Sequence, residues 1–432
     1  MSIQNDLAEL LGNKIISEDT AEGIRNYYKG KTGKSENKLF IIFGILGALL
    51  TGLGIILIVA HNWDDFSQTL KSTFAFIPLI IGQLICVFVL LKKIDSTVWR
   101  ESSTVFLFFA VGTCISLISQ IYHIEGELSN FILTWMALCI PLVYIMRSSS
   151  ASLLYIIGIT FYAIDIGYSG SNDVMSYIYW IMLILIIPYY IMLIRRSDKS
   201  NFLYVHNVFI PLSLIITLGT ISEYNSQIMY LAYMYLFSIF IIISNTNFSA
   251  ERVKSSGALS FFGISGILFI LFVLSFNFFW EDLSTESFTF NGIRSYTEIF
   301  AFVILGITAS ALLIYRMINK KSDYKFGTDI FEITFIIFTG IFIIGIFSDI
   351  AVVLINLLLF IIGIKTILKG IKLDHLGILN IGLLIISGIV ICRFFDTDLS
   401  FIIRGILFVL VGLCFFGANL FLIKQRKKNE AK

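Results

Sequence analysis

Apolar residues along this chain gather into fourteen long stretches, and the polar residues fall almost entirely into the gaps between them. The stretches are 39–60, 72–91, 103–124, 129–146, 151–167, 176–194, 203–221, 228–244, 258–279, 297–315, 330–347, 350–367, 376–392 and 400–423. About 18 or more apolar residues in a row are long enough to cross a hydrocarbon layer about 30 Å thick. Backbone polar groups must be paired within such a layer, so these stretches predict helices. The period-two alternation of a barrel strand is absent. The expected fold is therefore all-α: a polytopic membrane protein with about fourteen transmembrane helices. Stretches eleven and twelve are separated only by Ser348 and Asp349. A re-entrant hairpin there would leave twelve spans and keep every other loop on its side.

The gaps carry a second pattern. Of the 31 lysines and arginines, 27 fall in the N-terminal segment, the even-numbered gaps and the tail. The other side keeps only Lys71, Arg294, Arg393 and Arg404. Basic residues accumulate on the cytoplasmic side, so both ends are expected to be cytoplasmic. The resulting divisions are a cytoplasmic N-terminal helical segment (1–38), a transmembrane helical domain (39–423) and a basic cytoplasmic tail (424–432). In the first segment, Ile3, Leu7, Leu10 and Leu11 form one apolar stripe, Ser17 suits a helix N-cap, and Ile24, Tyr27 and Tyr28 continue a second stripe. No signal peptide is expected.

Composition agrees with this picture. Hydrophobic residues make up 57% of the 432 and charged residues 14%, where a soluble protein carries about 25% charge. Mean hydropathy is +0.89. The net charge of +2 reflects topology, so nucleic acid is not an expected partner and membrane lipids are. Cys86, Cys114, Cys139, Cys392 and Cys414 all lie within spans, spaced for neither a disulfide framework nor a zinc site. The run Gly30-Lys31-Thr32 lacks the earlier glycine of a phosphate-binding loop, whose place is held by Arg25. No cofactor is evident.

Candidate chemistry sits at the outer face, in three clusters. His61, Asn62, Trp63, Asp64 and Asp65 follow the first span. Gln120, His123, Glu125 and Glu127 close the third. Arg393, Asp396 and Asp398 fill the last outer turn, with Arg404 one turn into the final span. Carboxylates and imidazoles can ligate a divalent metal, and paired arginines can hold a phosphate. The plainer reading is a set of polar turns with surface salt bridges and an interfacial tryptophan. The interior offers amides and hydroxyls such as Gln83, Asn356 and Asn419, while Asp165, Glu332, His206 and Lys365 sit toward span ends. Ion-coupled transporters place charge near the midplane, so that class is disfavoured. Pro78, Pro141, Pro188 and Pro211 fall inside spans. Gly44, Gly47, Gly52, Gly54, Gly263 and Gly266 read as close helix-packing positions.

Gly52-Leu53-Gly54 through Ala60-His61-Asn62-Trp63-Asp64, with Ile16-Ser17-Glu18 before it, resembles the bacterial membrane family called domain of unknown function 2157. So do Gln120-Ile121-Tyr122, Gly126, Trp135, Pro141, Tyr144 and Ser148. The resemblance covers roughly the first 170 residues. It implies a multi-pass protein of the bacterial inner membrane with a short cytoplasmic helical segment, and it carries over no activity. Three functions are open on these grounds: an envelope transporter or lipid translocator with an outer-face head-group site, a membrane enzyme acting on a lipid-linked substrate, and a non-catalytic scaffold or sensor.

Orientation is directly testable. Alkaline phosphatase, active only outside the cytoplasm, is expected to be inactive when fused after Lys372 and active when fused after Asp396. The reverse pattern would overturn the assignment.

Overall fold

The computed structural model describes residues 66–168, 177–195, 201–222, 226–245, 253–280, 297–318, 330–348 and 350–394, with short helical pieces within 10–24, 42–54 and 402–417. Every regular element among the described residues is helical. Two compact units result. The first is Met1–Ser169 with Tyr177–Ser197, and the second is Gly170–Ser176 with Asp198–Lys432.

The first unit holds α1 (Gln68–Lys92), α2 (Thr97–Ile121), α3 (Leu128–Ile145), α4 (Ser149–Tyr168) and α5 (Ile178–Arg195). The second holds α6 (Asn201–Gly219), α7 (Ser226–Ser244), α8 (Val253–Val273), α9 (Thr297–Ile318), α10 (Ile330–Phe347), α11 (Ile350–Lys372) and α12 (Leu376–Phe394). Twelve of the fourteen apolar stretches thus appear as helices. Eleven are long and apolar enough to cross a membrane, and the apolar part of α8, Gly257–Val273, is slightly shorter. Both α10, with 18 residues, and α11, with 23, are full-length. At 1.5 Å per residue even the shorter one spans about 27 Å. Stretches 39–60 and 400–423 lie largely outside the described residues. In the N-terminal segment, residues 18–24 are helical, and Ser17 caps them by accepting the Thr20 N–H at 3.3 Å.

Small residues let the helices of the first unit approach. Gly112 of α2 lies against the Trp135 ring of α3, whose Nε1 donates to the Phe108 carbonyl at 2.8 Å. Gly158 of α4 lies against Met136, and Gly82 of α1 against Leu107. Tyr155, Tyr162, Tyr179 and Tyr189 fill the interior. A proline removes one backbone bond and crowds the carbonyls one turn before it. Ahead of Pro188, the Tyr144 hydroxyl donates to the Leu185 carbonyl, and Tyr155 donates to Met182 at 3.1 Å. Two tyrosines thereby stabilise the stretch that leads into this proline.

In the second unit α7 is the hub, packed against α6, α8, α9 and α10. Only Ile243 along its apolar length is exposed. Gly263 and Gly266 of α8 meet Ile241 and Phe237 of α7, as close packing positions should. Gly47 and Gly54 differ from that expectation: among the described residues nothing lies within 4 Å of where their side chains would be. Gly44 does approach Ser102.

One predicted span is corrected. Stretch 258–279 was expected to be one helix, but α8 ends at Val273 and turns at Leu274–Phe276 before a short helical piece at 277–280. Side chains catch the carbonyls released by the break. Trp280 Nε1 donates to Leu274 at 2.8 Å, and Ser275 receives Asn356 Nδ2 at 3.2 Å and Arg393 at 2.5 Å. Asn356 and Arg393 are remote in sequence, so hydropathy alone reads straight through the turn.

A valine at Gly112 would place carbon 2.5–2.9 Å from the Trp135 ring. Gly112→Val is expected to cost about 1–3 kcal/mol, whereas Gly54→Ala should be nearly neutral. Thermal unfolding of the detergent-purified variants measures both, and an unchanged midpoint for Gly112→Val would refute the packing described.

Candidate functional site

Helix α2 ends at Ile121 in a left-handed turn. His123 has φ 49°, and the Ile124 N–H reaches back to the Ser119 carbonyl at 2.9 Å, the closure that usually employs glycine. Arg147 and Asp374 close α3 and α11 similarly, with φ 49° and 48°. The turn presents Gln120, His123, Glu125 and Glu127 to the exterior, and all four are exposed. Ser129 donates to Glu127 at 3.5 Å.

This turn is tied to the start of α1. The Tyr122 hydroxyl shares a hydrogen bond with Ser72 at 3.2 Å, and Ala75 packs against Ile121. Ser67 caps α1 by accepting the Leu70 N–H at 3.4 Å, and Phe66 stacks on Phe74. The chain therefore enters α1 beside the 120–127 turn. His61, Asn62, Trp63, Asp64 and Asp65 immediately precede this entry and lie outside the described residues.

Arg393 lies in the second unit, and its Nη2 is turned inward. Beyond its bond to the Ser275 carbonyl it reaches Ser275 Oγ at 3.4 Å, and its guanidinium lies 5.2 Å from the Phe276 ring centroid. Asn356 Oδ1 is buried beside this junction without a hydrogen-bond partner among the described residues. Asp396, Asp398 and Arg404 lie outside the described residues. Among the described residues no three His, Cys, Asp or Glu side chains gather as a metal would require.

Sequence reasoning missed Glu101. Its side chain is 1% exposed and accepts from Ser148 Oγ at 2.5 Å, from the Ser149 N–H at 3.2 Å and from the Ser150 N–H at 2.9 Å. Arg100 lies 3.8 Å away. The carboxylate of α2 thus caps the N-terminus of α4, where exposed N–H groups and the helix dipole favour negative charge. Ser148 adds to the cap by accepting the Ala151 N–H at 3.2 Å. The available signal was the pairing of a lone acidic residue at a span start with the triple serine 148–150. The sequence contains no information on which acid meets which helix end.

Comparison with known proteins matches residues 8–152 to the family described as predicted membrane protein (DUF2157). The match lies wholly within the first unit. No curated protein and no solved structure matches the chain. Four of the residues that carry the resemblance, Tyr122, Trp135, Tyr144 and Ser148, make the bonds between helices described above.

Removing the Glu101 carboxylate would leave two N–H groups and a hydroxyl buried without an acceptor. Glu101→Ala is expected to destabilise by at least about 2 kcal/mol, and Glu101→Gln by less, since its amide oxygen still accepts. Equal melting of Glu101→Ala and wild type would disprove the capping role.

Proposed function

We propose that this chain is a multi-pass protein of the bacterial inner membrane, both ends cytoplasmic, that binds lipid head groups at its outer face and moves lipid between leaflets. The observation that carries the reading is the turn after α2. Its imidazole, amide and two carboxylates stand exposed on a short connection between two apolar helices, and among the described residues only Glu127 of these four makes a side-chain hydrogen bond, to Ser129. Such groups are placed to meet a head group where lipid meets water. The bond from Tyr122 to Ser72 supports adding His61, Asn62, Trp63, Asp64 and Asp65 to the same site, because they lead directly into α1. A divalent metal bridging Asp64, Asp65 and a phosphate fits this set chemically.

The distribution of charge supports translocation over ion-coupled pumping. The middle turns of α1 to α12 carry no Asp, Glu, Lys, Arg or His. A charge there costs about 2.5–3.5 kcal/mol on insertion scales, and coupled transporters accept that cost for function. A lipid translocator needs a polar groove for the head group but no midplane carboxylate. Arg393, Asp396, Asp398 and Arg404 are the second unit's contribution to the outer face in this reading. Arg393 serves there mainly as an anchor for the turn after α8.

Native mass spectrometry of protein extracted with its own lipids tests the site. Wild type is expected to carry a lipid or metal adduct, and an Asp64→Ala/Asp65→Ala variant that melts like wild type should lose most of it. The same adduct retained in full by the variant would remove these residues from the site. No adduct on either protein would favour a scaffold.

A further inference from the structure

The turn between α1 and α2 plays no part in the outer-face reading. α1 has 25 residues and spans about 37 Å, so this turn and the 120–127 turn lie at opposite ends of the helix. Lys92 closes the last turn of α1, and Lys93 is its C-cap. Both are exposed, and among the described residues neither ammonium has a hydrogen bond or an ion pair. Trp99 follows in the first turn of α2. It is 49% exposed, and its ring lies 6.2 Å from that of Phe88. Its indole N–H has no acceptor among the described residues. Phe88 and Lys92 are four residues apart, hence neighbours on one face of α1. An ammonium and an indole donor therefore flank the Phe88 ring.

Charge selects the ligand. Arg100 turns inward, donating to the Ile94 carbonyl at 3.2 Å and lying 3.8 Å from Glu101. Among the described residues of the turn, Asp95 is the exposed carboxylate. Lys92 and Lys93 outweigh it and leave an excess of positive charge. The start of α2 adds to this field, since the Ser96 side chain does not cap it and no acidic residue lies in its first turn. An anion is the complementary ligand. A zwitterion would bring its own ammonium toward the lysines.

The face of α1 that leads to these donors fits the rest of a lipid. Ile77, Ile81, Leu84, Phe88 and Leu91 repeat at helical spacing along it and are 40–75% exposed. The stripe ends at Leu91, directly before Lys92. A lysine at a helix end lays its stem on apolar surface and holds its ammonium at head-group level. Acyl chains along the stripe would bring a phosphate to that level, within reach of Trp99. A free phosphate would use the donors and leave the stripe empty.

We propose that Lys92, Lys93 and Trp99 form a binding site for the phosphate of an anionic phospholipid whose chains lie on the exposed face of α1. The site uses none of the outer-face residues, so failure of the Asp64→Ala/Asp65→Ala test leaves it standing, and its own failure leaves the outer-face reading standing.

The test is native mass spectrometry of full-length protein in detergent, offered equimolar phosphatidylglycerol and phosphatidylethanolamine with identical chains. Wild type is expected to retain phosphatidylglycerol roughly tenfold better, equivalent to about 1.4 kcal/mol. Lys92→Gln/Lys93→Gln should bring that ratio close to one. The same loss of charge in the tail, Lys427→Gln/Lys428→Gln, should leave the ratio as in wild type. Trp99→Phe keeps a ring against Phe88 and removes the N–H, and should lower retention of phosphatidylglycerol. Excess free glycerol phosphate should not displace the lipid; displacement would reassign the donors to a soluble phosphate and overturn the lipid assignment. Equal retention of the two lipids by wild type overturns the proposal without any variant. An unchanged ratio in a folded Lys92→Gln/Lys93→Gln does so too, as does an equal fall in the tail variant or unchanged retention in Trp99→Phe.

Discussion

In hydrocarbon a backbone N–H or C=O has no water to turn to, and each unpaired group costs several kcal/mol. Long helices meet that demand along their middles. It returns wherever a helix begins, ends or breaks. At the start of α4 the Glu101 carboxylate and the Ser148 hydroxyl take the exposed N–H groups. At the break after α8, Trp280, Asn356 and Arg393 take the exposed carbonyls. Ahead of Pro188, the Tyr144 and Tyr155 hydroxyls add bonds to the Leu185 and Met182 carbonyls. In these three places a side chain on one helix completes the backbone of another, so the need to pair the backbone also ties helices together.

This accounts for where the polar residues are found. Charged side chains sit toward helix ends, and the middle turns hold aliphatic, aromatic and small residues with a few amides and hydroxyls such as Gln83 and Thr339. Glycine lets two backbones approach, as Gly263 and Gly266 do where α8 meets α7. Without a hydrophobic drive between helices in lipid, such close packing and a few interhelical hydrogen bonds supply the cohesion. Arg393 shows how one residue type can serve either purpose. It looks like a phosphate ligand in the sequence, yet in the fold it anchors Ser275. In the turn after α2, Tyr122 holds the start of α1, while Gln120, His123 and Glu125 stand exposed and make no side-chain bond among the described residues.

Much of the architecture was legible because hydropathy is a local property. The ends of α1, α3, α4, α7 and α10 fall within about four residues of the spans read from the sequence, and the Ser17 cap was recognisable from its residue type and the acidic turn after it. The ninth span was misread past Val273, since the donors that stabilise its break come from positions 356 and 393. Gly47 and Gly54 looked like packing glycines but have no neighbour in the described structure. Of the three clusters in the candidate site, one turn is described in full, and its tie to the start of α1 through Tyr122 could not be read from spacing.

By itself the sequence determined the class, the helical content, the approximate spans and the expected side of each loop. All of these follow from transfer of side chains between water and lipid, which acts residue by residue. The tertiary structure alone decided the pairings: Glu101 with Ser148–Ser150, Arg316 with Glu332, Arg393 with Ser275, and α7 as the centre of the second unit. These depend on which helix faces sit together. Apolar faces with hydrophobicity all round carry too little directional information to specify that.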